Sequence, residues 1–256
     1  MKSISEAFDS FSHALRLNTE HLIHAPALMK VDPQEAAGNL DLGLSAVLNG
    51  FHSIYDAAQA SSQINFPWNK AAPTATLLAI RNARHHNHAH RIRSVETYFT
   101  RPRQGRVSGE FGLVTYGAAS PLEQRLFVQA LSWQDVNELL NLPYSVTRLN
   151  AQRAQTINDY LGGDTLTSFA ASRTQEVPIF FDMLPIITNA AKAAVRVLEP
   201  DRSAVDGRQG FPGSFQGCWR GRHGCAAFSA WHIRDLMRRL PLSFIPMIEK
   251  GAKGKP

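Results

Sequence analysis

Cysteine and long apolar runs are scarce in this chain. Cys218 and Cys225 are the two cysteines among 256 residues, too few for the disulfide framework of a small secreted domain. No window approaches the roughly 18 uninterrupted apolar residues that a membrane-spanning helix needs. The opening stretch Met-Lys-Ser-Ile-Ser-Glu-Ala-Phe-Asp contains no apolar signal segment. We therefore expect a soluble cytoplasmic protein with no membrane partner.

Acidic residues are scarce in two parts of the chain. Between residues 81 and 106 there are seven arginines and one acid, Glu96, and from 201 to the end there are ten Lys or Arg and four Asp or Glu. The net charge is +6 and the sequence pI is about 9.6. Basic surfaces often serve only solubility, but this charge lies beside a run of histidines. It favours a polyanionic partner, RNA in the first place.

Regular alternation of strand and helix patterns is also missing, which argues against a parallel sheet. Apolar residues instead recur at three-, four- and seven-residue spacings, which is typical of amphipathic helices. Asp32 and Pro73 mark helix starts, and Pro26 and Gly162 mark helix ends. These patterns predict a loop over 200–217 and helices over 4–22, 33–55, 73–93, 120–131, 132–142, 145–161, 164–173, 178–198 and 226–240.

The predicted fold class is all-α, a helical bundle with a helical C-terminal extension. The exception is the glycine-rich stretch from Arg106 to Tyr116, which predicts an extended piece or at most a small β-hairpin near 106–116. The turn-rich sequence around Pro102 favours a bundle over residues 1–100 and a basic helical extension over 101–256. A single domain also fits a chain of this length.

Residues 77–90, here called the Arg/His segment, read Leu-Leu-Ala-Ile-Arg-Asn-Ala-Arg-His-His-Asn-His-Ala-His. The segment contains no acid and places six basic side chains within ten residues: Arg81, Arg84, His85, His86, His88 and His90. Arginine binds phosphate through bidentate, charge-assisted hydrogen bonds. Histidine accepts and donates protons near neutral pH. Together these side chains predict the cleavage of a phosphodiester, and we take RNA as the substrate.

The spacing of these residues determines which of them share a helical face. Because each residue of a helix turns by about 100°, Arg81, His85 and His88 would lie on one face. His86 would lie about 140° from Arg81, with Asn82 between them. An ordinary solvated face is better served by Glu and Lys, which favour the helix more strongly than His and Asn. The segment therefore predicts a functional polar surface, with surface histidines of no specific role as the alternative.

The stretch Arg81-Asn82-Ala83-Arg84-His85-His86 resembles the arginine–polar–three residues–histidine motif of the HEPN superfamily, a group of helical-bundle ribonucleases. The resemblance implies a bundle that pairs as a homodimer, with two motifs facing one cleft and cleaving RNA without a metal. It makes Arg81 the phosphate anchor, Asn82 a residue that positions it, and His86 the proton-transfer residue. Many HEPN proteins belong to toxin–antitoxin or antiviral defence systems, so an antitoxin or a defence-complex protein would be a further partner.

Further basic side chains are predicted to bind the RNA next to Arg81, Asn82 and His86. They are Arg84, His85 and His88 within the Arg/His segment, and Arg222 in the glycine-rich loop over 217–225. Backbone N–H groups of such a loop can also bind phosphate.

Two other functions are open at this point. One is a non-catalytic helical module whose basic face binds nucleic acid or a protein partner in a bacterial or phage complex. The other is a metal-dependent hydrolase with zinc on His86 and His90, or on His85 and His88. Catalytic zinc sites usually add a carboxylate, and the Arg/His segment has none. We therefore predict no metal and no other cofactor.

Overall fold

The computed structural model describes residues 3–61, 66–86, 92–100, 111–114, 128–171 and 178–206. These residues are mostly helical, which confirms the predicted fold class, and a small three-stranded sheet accompanies the helices. The helices are α1 (Ile4–Leu28), α2 (Pro33–Ala60), α3 (Ala72–His85), α4 (Val95–Thr100), α5 (Trp133–Asn141), α6 (Tyr144–Thr147), α7 (Ala151–Leu161), α8 (Gly163–Ala171) and α9 (Leu184–Asp206). The strands are β1 (Gly112–Val114), β2 (Ala130–Ser132) and β3 (Ile179–Asp182).

Helix starts follow the capping residues of the sequence. At α1, the Ser3 hydroxyl accepts a hydrogen bond from the backbone N–H of Glu6, and the Glu6 carboxylate accepts one from the backbone N–H of Ser3. Asp32 caps α2 and Ser132 caps α5 through their side-chain oxygens. These starts agree with the prediction. Pro26, which was predicted to end the first helix, lies inside α1, and the helix continues to Leu28.

Helices α1 and α2 pack closely along glycines of α2. A Cβ atom added at Gly50 would lie 2.9 Å from the Cα of Phe11, and one added at Gly43 would lie 2.6 Å from Oδ1 of Asn18. The two glycines are seven residues apart, so they lie on the same face of α2. A larger residue at Gly50 would meet the backbone of α1, whereas one at Gly43 would first displace the Asn18 side chain.

The apolar stripes of the first two helices are buried within the chain itself. Phe8 and Phe11 of α1 are buried, and Leu44 and Phe51 of α2 pack in the same core. The rings of Phe11 and Phe51 meet edge to face at 5.8 Å between centroids. The single chain therefore covers the apolar faces that the sequence pattern predicted for these helices.

One hydrophobic core joins both halves of the chain. Buried residues of α3, α7 and α9 belong to the same cluster as those of α1 and α2. Helix α3 contacts α2, α7 and α9. The core thus crosses the position of the predicted domain boundary at residue 100, and that boundary stays a prediction.

The three-stranded sheet has the order β1-β3-β2, with β1 parallel and β2 antiparallel to β3. The helix predicted over 178–198 is therefore wrong in its first part, although the sequence also predicted a kink or a new start at Pro185 and α9 begins at Leu184. The helix predicted over 120–131 is wrong at its end. At β3 the reason is that a short run of large apolar residues, Ile179-Phe180-Phe181, suits a buried strand as well as a buried helix. At β2 it is that three residues, Ala130-Leu131-Ser132, are too few to show a strand pattern. Strand β1 lies in the stretch predicted to be extended and pairs in parallel with β3; the rest of the stretch over 106–116 lies outside the described residues.

Further differences concern where predicted helices end or divide. Helix α3 ends at His85 rather than near residue 93, because the His- and Asn-rich run that follows is a poor helix former. The helix predicted over 145–161 is divided at Arg148, which adopts a left-handed conformation with φ 59°. Helix α9 continues to Asp206, into the predicted loop over 200–217. The helix predicted over 226–240 lies outside the described residues.

None of the described helices is both long enough and apolar enough to cross a membrane.

Candidate functional site

Helix α3 carries the first part of the Arg/His segment and presents it at its C-terminal end. Leu77 and Ile80 are buried in the core, which fixes the rotation of the helix. Arg81 and Asn82 are partly exposed, whereas His85 and the residue that follows it are exposed. The apolar residues of α3 therefore hold its polar residues at the surface.

Neutral amide oxygens hold the guanidinium group of Arg81. Its Nε donates to Oδ1 of Asn49 on α2 at 3.3 Å, and its Nη1 donates to Oδ1 of Asn82 at 3.1 Å. Within the described ranges, no carboxylate forms an ion pair with Arg81. A guanidinium group has five N–H donors, and the hydrogen bonds to described residues use two of them.

His86 lies directly after α3 and is attached to the same asparagine. Its backbone N–H donates to the carbonyl oxygen of Asn82 at 3.0 Å, which closes the last turn of the helix. Its ring meets that of His85 edge to face, with 5.1 Å between the centroids. Asn82 therefore links Arg81, through its side chain, to His86, through its backbone.

Helix α2 brings three further polar residues to this place. Asn49, His52 and Asp56 are spaced at i, i+3 and i+7, so they lie along one face of the helix. Nδ1 of His52 lies 3.0 Å from Oδ2 of Asp56, and the His52 ring packs on Tyr55 with 5.4 Å between the ring centroids. The site, here called the α2–α3 cluster, consists of Asn49, His52, Asp56, Arg81, Asn82, His85 and His86.

Electrostatic effects connect the two helices of the cluster. Burial lowers the pKa of His52, and the positive charges of Arg81 and His85 lower it further, while Asp56 acts in the opposite direction. Burial also lowers the pKa of Arg81, and Asp56 again opposes that change. An arginine nevertheless keeps its charge at neutral pH. The site therefore pairs a fixed positive charge with an imidazole that favours its neutral form.

Arg84 has different surroundings from those of Arg81. Its Nη1 donates to the carbonyl oxygen of Ile92 at 2.8 Å, and its Nη2 lies 3.4 Å from Oδ1 of Asp41 on α2. The side chain is 12% exposed, and its contacts join α3 to α2 and to the segment before α4. This arrangement favours a structural role, so we leave Arg84 out of the cluster.

Asp41, the acidic partner of Arg84, lies near a second carboxyl group, that of Glu96. Oδ2 of Asp41 accepts a hydrogen bond from the Thr97 hydroxyl at 2.5 Å. Burial raises the pKa of Glu96 to about 7, the negative charge of Asp41 adds to the rise, and hydrogen bonds to its own backbone and to Ser94 oppose it. Glu96, at the N-terminal end of α4, therefore titrates near neutral pH.

The structure brings together Arg81, Asn82, His85 and His86, all of which the sequence singled out. His88, His90 and Arg222 lie outside the described residues, as do both cysteines. Sequence reasoning missed the three α2 residues of the cluster, Asn49, His52 and Asp56. Their spacing along one face of α2 was visible, but nothing in it showed which part of α3 would face them.

Across the described residues, no three His, Cys, Asp or Glu side chains converge in a way that would hold a metal ion. Comparison of the chain with family models, curated proteins and solved structures gave no match.

Proposed function

We propose that the protein is a metal-independent endoribonuclease of the toxin or phage-defence type, acting through Arg81 and His86. The observation that carries the proposal is the setting of Arg81, whose guanidinium group is held by two amide oxygens and by no described carboxylate, beside exposed imidazoles. The resemblance of Arg81-Asn82-x-x-x-His86 to the HEPN motif supports the same function. RNA is the proposed partner, with an antitoxin or a defence-complex protein as a second.

The chemistry follows from the properties of these side chains. Arg81 neutralises the scissile phosphate, and Asn82 holds its guanidinium group in place. The 2′-oxygen of the ribose attacks phosphorus, and the bond from phosphorus to the 5′-oxygen breaks. His86 takes part in the proton transfers, either from the 2′-hydroxyl or to the leaving oxygen. The products are a 2′,3′-cyclic phosphate end and a 5′-hydroxyl end.

We expect Arg81→Ala to reduce RNA cleavage by about 100-fold or more, because charge stabilisation in the transition state is lost. We expect a reduction of about 10²–10⁴-fold for His86→Ala, because a proton-transfer group is lost. Both variants should keep the helical circular dichroism of the parent. Cleavage of a labelled RNA in excess EDTA measures the effect, and the parent rate should peak between about pH 6 and 8.

A second Arg–His pair in the chain provides matched controls. Nη2 of Arg16 lies 3.3 Å from Nδ1 of His13 on the exposed side of α1, and neither residue belongs to the cluster. Arg16→Ala and His13→Ala should cleave like the parent. If Arg81→Ala and His86→Ala also cleave like the parent, the proposed site is wrong. If the parent binds RNA but does not cleave it, the protein is a binding module.

A further inference from the structure

The α2 side of the cluster contains a carboxylate–imidazole pair that the proposed chemistry has not used. Oδ2 of Asp56 lies 3.0 Å from Nδ1 of His52, one helical turn earlier on the same helix. The two side chains are 60% and 18% exposed, so the carboxylate is in solvent while the imidazole is mostly shielded. A surface ion pair of this spacing contributes little to stability, and its position beside Arg81 is therefore the more informative feature.

The contact with Asp56 determines which ring nitrogen of His52 carries the proton. A carboxylate at neutral pH only accepts hydrogen bonds, so the Nδ1–H of His52 donates to it. The other ring nitrogen, Nε2, then carries a lone pair and can accept a proton. Asp56 thus holds the ring in the tautomer and orientation that a general base requires.

The groups around His52 come from both helices of the cluster. Asp56 and the ring of Tyr55 lie on α2, and the side chains of Arg81 and His85 act on His52 electrostatically from α3. Burial and the charge of Arg81 lower the pKa of His52, and Asp56 opposes them in part. The neutral form of His52 is therefore favoured, and Arg81 is hydrogen-bonded to Asn49, one helical turn before His52.

We infer that His52, oriented by Asp56, is the general base of the RNA cleavage reaction and that His86 is the general acid. This inference rests on the proposed function and assigns the two proton transfers within it. Nε2 of His52 accepts the proton of the 2′-hydroxyl as the 2′-oxygen bonds to phosphorus. His86 gives a proton to the 5′-oxygen as its bond to phosphorus breaks, and solvent returns both imidazoles to their starting states.

The pH profile of kcat/KM tests the assignment with the full-length protein and a labelled RNA. His52→Ala should lose about 10²–10⁴-fold in rate, and added imidazole should restore part of it because the free base can occupy the vacated space. In Asp56→Asn the charge that favours the imidazolium is removed. The acid limb of the profile, where the base becomes protonated, should therefore move to lower pH, and the rate should fall.

Matched variants separate this role from a general effect on folding. His13→Ala removes an exposed histidine of α1, and Asp159→Asn removes an exposed carboxylate of α7 that accepts a hydrogen bond from Gln155 four residues before it. Neither should change the rate or the profile. His52→Gln, which keeps a polar side chain, is the second variant if His52→Ala loses helical circular dichroism, and it should be as slow as His52→Ala.

A proton NMR titration of the His52 ring tests its surroundings without RNA. Asp56→Asn should lower the midpoint of the titration, and Arg81→Gln should raise it, because the two charges act in opposite directions. No change in either variant would overturn the pairing. A parent that cleaves RNA while His52→Ala and His52→Gln keep its rate and pH profile would overturn the base assignment alone, whereas a parent that cleaves no RNA would overturn the proposed function as well.

Discussion

Arg81 and Arg84 are three residues apart on α3, yet their guanidinium groups have opposite environments. Arg81 is bound by the amide oxygens of Asn49 and Asn82, and Arg84 by a carboxylate and a backbone carbonyl. The sequence predicted that both would contact phosphate. It could not separate them because the partners of Arg84, Asp41 and Ile92, come from other parts of the chain.

Glu96 makes the free energy of unfolding depend on pH. Its pKa in the folded state is about 7, above the ordinary value of 4.5. Between these values the folded state binds the proton more tightly than the unfolded state, so this residue makes the free energy of unfolding fall as pH rises. The penalty is absent below about pH 4.5 and fully present above about pH 7.

We therefore expect Glu96→Gln to remove this part of the pH dependence. At pH 8 the variant should be more stable than the parent by on the order of 3 kcal/mol, and at pH 4.5 the two should be similar. Urea unfolding at a series of pH values measures the difference. Glu20→Gln, at an exposed position of α1, is the control and should follow the parent. Parallel curves for parent and Glu96→Gln would show that the carboxyl group does not titrate in this range.

At the scale of elements, features that depend on neighbouring residues could be predicted from the sequence, and features that depend on distant residues could not. Starts of helices were predictable because capping residues such as Asp32 and Ser132 act within one turn of the chain. Strand β3 was not predictable, because whether residues 179–182 form a strand depends on β1 and β2, which are distant in sequence. His52 was missed for the same reason, since only the packing of α2 against α3 places it beside Arg81.

The close contact of α1 with α2 predicts different effects of substitution at Gly50 and Gly38, two glycines of α2. Gly50→Ala should destabilise the protein by about 1–3 kcal/mol, because the new Cβ would meet the backbone at Phe11. Gly38 is on the same helix but has no atom within 4 Å of an added Cβ. Gly38→Ala should instead stabilise by about 0.5–1 kcal/mol through helix propensity.

Chemical denaturation of the two variants beside the parent measures both effects. Equal changes of one sign in the two variants would show that helix propensity alone governs these positions. Opposite signs are expected if the distance between α1 and α2 is fixed by Gly50.

At the scale of the whole molecule, the predicted homodimer needs a surface other than the apolar stripes of α1 and α2, which the chain buries itself. Leu42 offers one: it is 58% exposed and lies at a seven-residue spacing before Asn49 and Asp56 on α2. A two-fold pairing through this face would bring two α2–α3 clusters together.

We expect the parent to sediment as a dimer at micromolar concentration and Leu42→Asp to shift it toward monomer, because a buried charge at an interface is costly. Val146→Asp on α6, which also replaces an exposed apolar residue, should leave the dimer unchanged. A parent that sediments as a monomer would count against a shared cleft and leave the cluster to act within one chain.

Strand β3 is the middle strand of the sheet and the last of the three to leave the ribosome. Until it has been synthesised, β1 lacks its parallel partner, and β2 is held among the described residues by the bridge between Leu131 and Ser94. The α1–α2 hairpin, whose contacts are close in sequence, can form much earlier during translation. A nascent chain that stalls within α8 would therefore carry an incomplete sheet next to an assembled helical hairpin, and we expect a chaperone to bind the strand edges that β3 later covers.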